Sequence, residues 1–178
     1  GRIVLYEREE GVPRARMLDV VGPAASGGPD SAPLAPPSLE EAGFVPLPTG
    51  AGAPCAVTPA ANKAFAARVL HFEHSSPASP PPPYAFDMGA ATLAPRGPPS
   101  EPPATTELAC ERRYATARDG ALVPLTLVRA ASLGAPSAET PLHVVAYGAY
   151  GASLEARWRA EHAPLLERGW VVALAHVR

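Results

Sequence analysis

Five histidines, two cysteines and a tyrosine–glycine turn are the places where this chain could carry chemistry. Serine hydrolysis needs a nucleophile on a strained elbow, written G-x-S-x-G, with a histidine base and an acid that orients it. Ser132 has Gly134 nearby but no upstream glycine, and Ser153 follows Gly151 but has Glu155 two positions on. Neither makes the elbow. His71 and His74 flank Phe72 and Glu73; in a strand they point to opposite faces and do not form a metal pair. His143, His162 and His176 stand apart, without a carboxylate at helical or strand spacing. His176 falls in an apolar run and reads as a hydrogen-bonded core histidine. Asp119 precedes Gly120 and reads as a turn residue, not an acid of a triad. Cys55 and Cys110 are too few for a disulfide framework or a zinc site and read as reduced, partly buried thiols.

The elements that must position these residues change character along the chain. Residues 2 to 22 read as a β-hairpin turning at Glu10 and Gly11. Residues 23 to 60 are dominated by Pro, Gly, Ala and Ser, and are expected to be a long loop or disordered insertion. AFAARVLHFEHSS and YAFDMGAATL each read as a strand, and polyproline geometry is expected in SPASPPPPY between them. The PPPP run could dock on an SH3-like module, but its plainer role is a spacer. Residues 94 to 106 again read as loop. ERRYATARDGALVPLTLVRA is a hairpin with Asp119-Gly120 at its turn, followed by a polar loop over 132 to 140.

The last unit, from Pro141, reads as strand, glycine turn, short helix, strand. HVVA runs into the turn YGAYG, and WVVALAHVR is an almost wholly apolar strand. Such runs indicate strands buried on both faces, as in a parallel sheet covered by helices. The helix is predicted over about 161 to 168, with Pro164 in its first turn and Gly169 at its C-terminal cap. A sheet of this kind needs more strands than two, so the chain reads as a fragment, with a domain boundary near residue 107.

Composition excludes several classes. Pro (24) and Gly (15) together make about a fifth of the residues, above the usual ~12% but clustered rather than pervasive. The formal net charge is -2, and no basic stripe with interleaved aromatics argues for nucleic acid. No run approaches the ~18 apolar residues of a membrane span. No cofactor motif is present, and no signal peptide is visible.

Three segments, in order and with plausible spacing, carry a resemblance: YATARDGALVPLTLV at 114 to 128, VVAYGAYG at 144 to 151 and ERGWVVALAHVR at 167 to 178. On these the last ~70 residues resemble the prolyl oligopeptidase family of serine peptidases. Upstream, RVLHFEHSSPASPPPPYAFDM is similar to the family's last propeller blade, with a longer proline run. The resemblance implies a seven-bladed β-propeller that restricts access to an α/β-hydrolase domain. Residues 1 to 106 would be the C-terminal part of the propeller, with the insertion at about 23 to 60. Residues 107 to 178 would be the N-terminal part of the catalytic sheet.

In the family the triad serine, aspartate and histidine lie beyond the point matched by Arg178, so the fragment alone is expected to be inactive. One catalytic element is implied within it: a tyrosine hydroxyl after the third hydrolase strand, matched by Tyr147, that donates to the oxyanion. Tyr150 is expected to be a packing residue, Gly148 and Gly151 to permit the sharp turn, and Arg178 to have no role. The plainer alternative for Tyr147 is an aromatic at a strand end whose hydroxyl finds a backbone partner.

The family implies hydrolysis of oligopeptides through an acyl-enzyme in a cytoplasmic protein without cofactors. Two other readings are an esterase or thioesterase variant with the same mechanism, and a non-catalytic propeller–hydrolase scaffold. The expected partner is a peptide or small ester substrate, with no nucleic acid and no membrane. Cleavage specificity and oligomeric state are not encoded in these motifs.

Overall fold

Alternating strands and glycine turns build three sheets in succession. The computed structural model describes every residue except 10, 23–35, 51, 65, 98–105 and 178. The first sheet begins with β1 (Arg2–Glu9) and β2 (Val12–Val21), paired antiparallel from Arg2↔Asp19 to Glu9↔Val12. Gly11 turns the hairpin at φ +80°, a left-handed backbone that glycine adopts without steric cost. Along β2 the pleat sends Ala15 and Met17 inward and Arg14 and Arg16 outward, where they pair with Glu7, Glu9 and Glu41.

A third strand, β3 (Ser38–Phe44), pairs with β2 through a bulge at Met17/Leu18. A further strand, β4 (Ala56–Pro59), pairs with β5 (Val69–Ser75). Both lie inside the stretch expected to be loop or disordered, and that expectation is corrected for 38–44 and 56–59; 23–35 is outside the described residues. The physical reason is local. Averaged composition across 23 to 60 hides a few apolar residues, Val45, Cys55 and Ala56, which are the ones buried. The backbone of 38–44 completes its hydrogen bonds on the open edge of β2, and Phe44 lies under the guanidinium groups of Arg14 and Arg16.

The second sheet is an antiparallel meander of β4, β5, β6 (Pro83–Asp87) and β7 (Thr92–Pro95). YAFDMGAATL is thus two strands rather than one. Asp87 breaks it, its carboxylate accepting hydrogen bonds from the Gly89 and Ala90 amides at 2.8 and 2.9 Å, a local side-chain turn that competes with the ladder. Pro80 and Pro82 of the proline run are buried, which favours the spacer role over a docking motif. The first two sheets share one core, with Ala15, Met17 and Val45 facing Leu70, Phe72 and Phe86.

The third sheet has the order β10-β11-β9-β8. Its hairpin joins β8 (Leu108–Thr116) to β9 (Leu122–Ala130) through the Asp119-Gly120 turn, with Gly120 at φ +83°. Then come β10 (Leu142–Ala146) and β11 (Val171–Ala175), which are parallel, with β11 inserted between β10 and β9. All five residues of β11 are buried, as its unbroken apolar run predicts. β10 differs from expectation: Leu142 and Val144 are more than half exposed, because in this chain β10 is the sheet's edge.

The crossover helix is shorter than predicted. A 3₁₀ turn at Ala160–His162 leads into α1 (Ala163–Leu166), which carries Pro164 in its first turn. Gly169, at φ +79°, closes it: the Gly169 amide bonds the Leu166 carbonyl at 3.1 Å and the Trp170 amide the Leu165 carbonyl at 3.1 Å. That is the paired closure expected where glycine follows a helix. Leu165 and Leu166 cover Val128, Val172 and Leu174. Among the described residues no helix is long and apolar enough to cross a membrane.

This core makes a graded prediction. In the full-length protein, Leu174→Ala removes a fully buried side chain and should destabilise by ~3–5 kcal/mol. Leu122→Ala, at 64% exposure, should cost less than ~0.5 kcal/mol. Thermal melts would show a large drop for the first and almost none for the second; equal drops would contradict this packing.

Candidate active-site turn

Parallel pairing of β10 with β11 brings their carboxyl ends together, with Ala146 beside Ala175. Tyr147 follows β10 at that edge and is 47% exposed. The chain then makes a tight 3₁₀ turn at Ala149–Gly151, closed by the Ala152 amide on the Ala149 carbonyl at 3.0 Å. Gly151 has φ +71°, in keeping with the turn role expected of it, and Gly148, at φ -155° and ψ 18°, lies outside both the α and the β regions. Tyr150 corrects an expectation. It is 98% exposed among the described residues, and its backbone is left-handed at φ +57° and ψ +28°. A side chain there costs on the order of 1 kcal/mol, which the surrounding turn must hold in place.

The return leg, Ser153 to Glu155, is fastened from outside. Arg8, near the end of β1, donates to the Ser153 hydroxyl at 2.8 Å and forms an ion pair with Glu155. Between them the Leu154 carbonyl accepts a hydrogen bond from His176 Nδ1 at 3.0 Å. A carbonyl only accepts, so Nδ1 carries the proton; the neutral ring then accepts at Nε2 from the Thr126 hydroxyl, 2.8 Å away. Burial holds the His176 imidazole below its ordinary value; the Leu154 bond opposes this, and Arg112 and Arg8 add to it. Gly11 leans on the same ring, where an added Cβ would come within 3.3 Å of His176 Cβ and Cγ. His176 is therefore the hydrogen-bonded core histidine that the sequence indicates, and also a junction between β11, β9, the turn and the first hairpin.

The other candidates fall apart as chemistry. His74 is buried against Tyr84 and contacts the Thr49 hydroxyl at 3.1 Å, while His71 lies on the opposite face. His143 and His162, expected to be isolated, face each other with ring centroids 6.3 Å apart, because the 3₁₀ turn stands over β10. Burial lowers the His162 pKa. Burial pushes the Cys110 thiol up to about 12 and raises that of Cys55, so neither is a thiolate nucleophile. Among the described residues no group of three or more His, Cys, Asp or Glu could hold a metal.

A groove of about 870 Å³ lies between the first hairpin, residues 44–50 and β8, lined by Arg14, Phe44 and Tyr114 among others; Tyr147 is not part of it.

No family model matches the chain. Prolyl endopeptidase-like protein of Gallus gallus is 31% identical over 134 residues, covering 75% of this chain and 18% of that protein. Dipeptidyl aminopeptidase BI of Pseudoxanthomonas mexicana is 44% identical over 69 residues, 38% of this chain and 9% of that protein. The structure of oligopeptidase B from Trypanosoma brucei with covalently bound antipain superposes with a TM-score of 0.70 at 26% identity. It covers 98% of this chain and 23% of the oligopeptidase. The chain belongs to the prolyl oligopeptidase family.

Within this family the chain spans 9–23% of the length of these relatives. The anchors Arg8, Ser153 and Glu155 escape sequence reading, because 145 residues or more separate the arginine from its partners. Thr126 carried a signal: a lone hydroxyl in the apolar run LVPLTLV must find a partner if buried, and it is fully buried.

Three buried histidines, His74, His162 and His176, have depressed pKa values, each chiefly through burial. Folding then favours the neutral form, and the unfolded chain binds more protons below its own histidine pKa of ~6.5. Stability should be flat in these groups above about pH 6.5 and decline as pH falls below it. A melting series from pH 8 to 5 checks this; a melting temperature that rises on acidification contradicts it.

Proposed function

We propose that this chain contributes the oxyanion-binding turn of a serine-type peptidase that hydrolyses oligopeptides through an acyl-enzyme. Residues 107–178 are read as the first part of an α/β-hydrolase sheet, and residues 1–106 as the end of a β-propeller. The four-stranded meander β4–β7 has the form of one propeller blade, and β1–β3 supply three strands of the blade before it. The serine, histidine and aspartate of the triad would come from other parts of a longer protein, since no G-x-S-x-G elbow occurs in this sequence. On its own the chain would then be inactive.

The observation that carries the reading is the position of Tyr147. It stands at the carboxyl ends of two parallel strands, the edge where open α/β sheets bind ligands. Its phenol is half exposed on a turn held in a strained backbone. When a serine oxygen adds to a scissile carbonyl, the carbonyl oxygen takes up negative charge. A phenol fixed beforehand donates to that oxygen without reorganising, and one such donor is worth ~3 kcal/mol of the barrier. The amine leaves with a proton from the base, and water then releases the acyl group. A peptide substrate is supported by the related oligopeptidase B, which holds covalently bound antipain.

In the full-length protein, Tyr147→Phe should lower kcat by roughly ten- to a thousandfold with KM little changed, as for a contact made mainly in the transition state. Tyr150→Phe should change kcat less than about threefold, because its side chain stands free in solvent. Steady-state kinetics on a peptide substrate measure both, with melts to confirm folding. Two variants that match wild type, or a loss confined to Tyr150→Phe, would overturn the assignment.

A further inference from the structure

The turn that carries Tyr147 is held at its far end by a residue of the first sheet. Arg8 ends a strand 145 residues upstream, yet its guanidinium spans two residues of the return leg. One nitrogen donates to the Ser153 hydroxyl at 2.8 Å and the other meets the Glu155 carboxylate. The planar fork binds both at once through two fixed nitrogens, a span that a single ammonium does not present. From Ala152 to Arg159 the leg has no regular secondary structure, so these bonds and that of His176 on Leu154 stand in place of a ladder. Ala156, the next residue, is buried, so the anchored segment connects directly to the interior.

We infer that Arg8 is a positioning residue for Tyr147: by clamping Ser153 and Glu155 it makes the geometry of the catalytic turn depend on docking of the β1–β2 hairpin. This rests on the oxyanion reading of Tyr147. The ion pair is partly exposed, with side chains at 39% and 35% exposure, so it contributes little to global stability. Its effect lies in placement, and placement matters more in the transition state than in substrate binding. A hairpin that moves away takes Arg8 with it, releases the return leg and loosens the turn. The first sheet thereby governs the turn's competence.

The test uses the full-length enzyme and a peptide substrate. Arg8→Ala should lower kcat about tenfold with KM within about twofold and melting almost unchanged. Arg8→Lys should recover only part of kcat, because it keeps the charge and loses the fork. The pair Arg8→Glu with Glu155→Arg should recover more than either single change. The deciding measurement is Arg8→Ala placed on Tyr147→Phe. If Arg8 acts through Tyr147, the double variant is no slower than Tyr147→Phe alone. Losses that multiply, or an Arg8→Ala effect carried by KM, overturn the inference even if Tyr147→Phe is slow. A Tyr147→Phe variant with wild-type kinetics instead overturns the oxyanion reading on which it stands. Should Arg8→Ala fail to fold, Ser153→Ala and Arg8→Lys carry the same comparison; a wild-type kcat in both then overturns the clamp.

Discussion

One neutral imidazole touches four parts of this structure at once. His176 follows β11, accepts from the Thr126 hydroxyl of β9, donates to the Leu154 carbonyl of the turn and supports Gly11 of the first hairpin. Both ring nitrogens are committed, and a buried acceptor or donor left without its partner costs ~1–3 kcal/mol. A proton added at Nε2 would place a charge near Arg8 and Arg112 in a site that already disfavours it. Burial and the nearby guanidinium groups thus favour the neutral ring that bridges sheet, turn and hairpin.

Around that junction rigidity and exposure are divided. β11 is buried along its whole length, with Val172 and Leu174 fully enclosed by Val128 and α1. β10 pairs with β11; its Leu142 and Val144 are exposed, while Val145 packs against the buried cluster. Tyr147 follows β10 directly, with the buried strand β11 alongside. Tyr150 carries the backbone strain of the turn, and Gly151 continues the left-handed bend at no such cost. On the proposed reading, a donor fixed by this turn meets the developing charge without reorganising during reaction.

What the sequence made legible follows from how local each cause is. The hairpins at Gly11 and Asp119-Gly120, the closure at Gly169 and the burial of VVALA are each decided within a few residues, and all are found in the structure. β3 and β4 were not legible, because a strand in a Pro- and Gly-rich stretch is created by the edge it adds to, not by its own composition. Asp87 splitting one apparent strand into two is local, but its signal was weaker than the apolar residues around it. At the site, the place of Tyr147 after β10 was legible, while Thr126, whose hydroxyl in an apolar run was a signal, was missed. Arg8 and the facing pair His143 and His162 depend on contacts between distant segments, which no spacing in one sequence reveals.

The most direct test of the account is the structure of the full-length protein with a covalent tetrahedral transition-state mimic on its nucleophile. The account predicts the Tyr147 hydroxyl within hydrogen-bond distance of the tetrahedral oxygen, about 2.7 Å, with Arg8 still bridging Ser153 and Glu155. A tetrahedral oxygen more than about 4 Å from that hydroxyl, held by other donors, would contradict it.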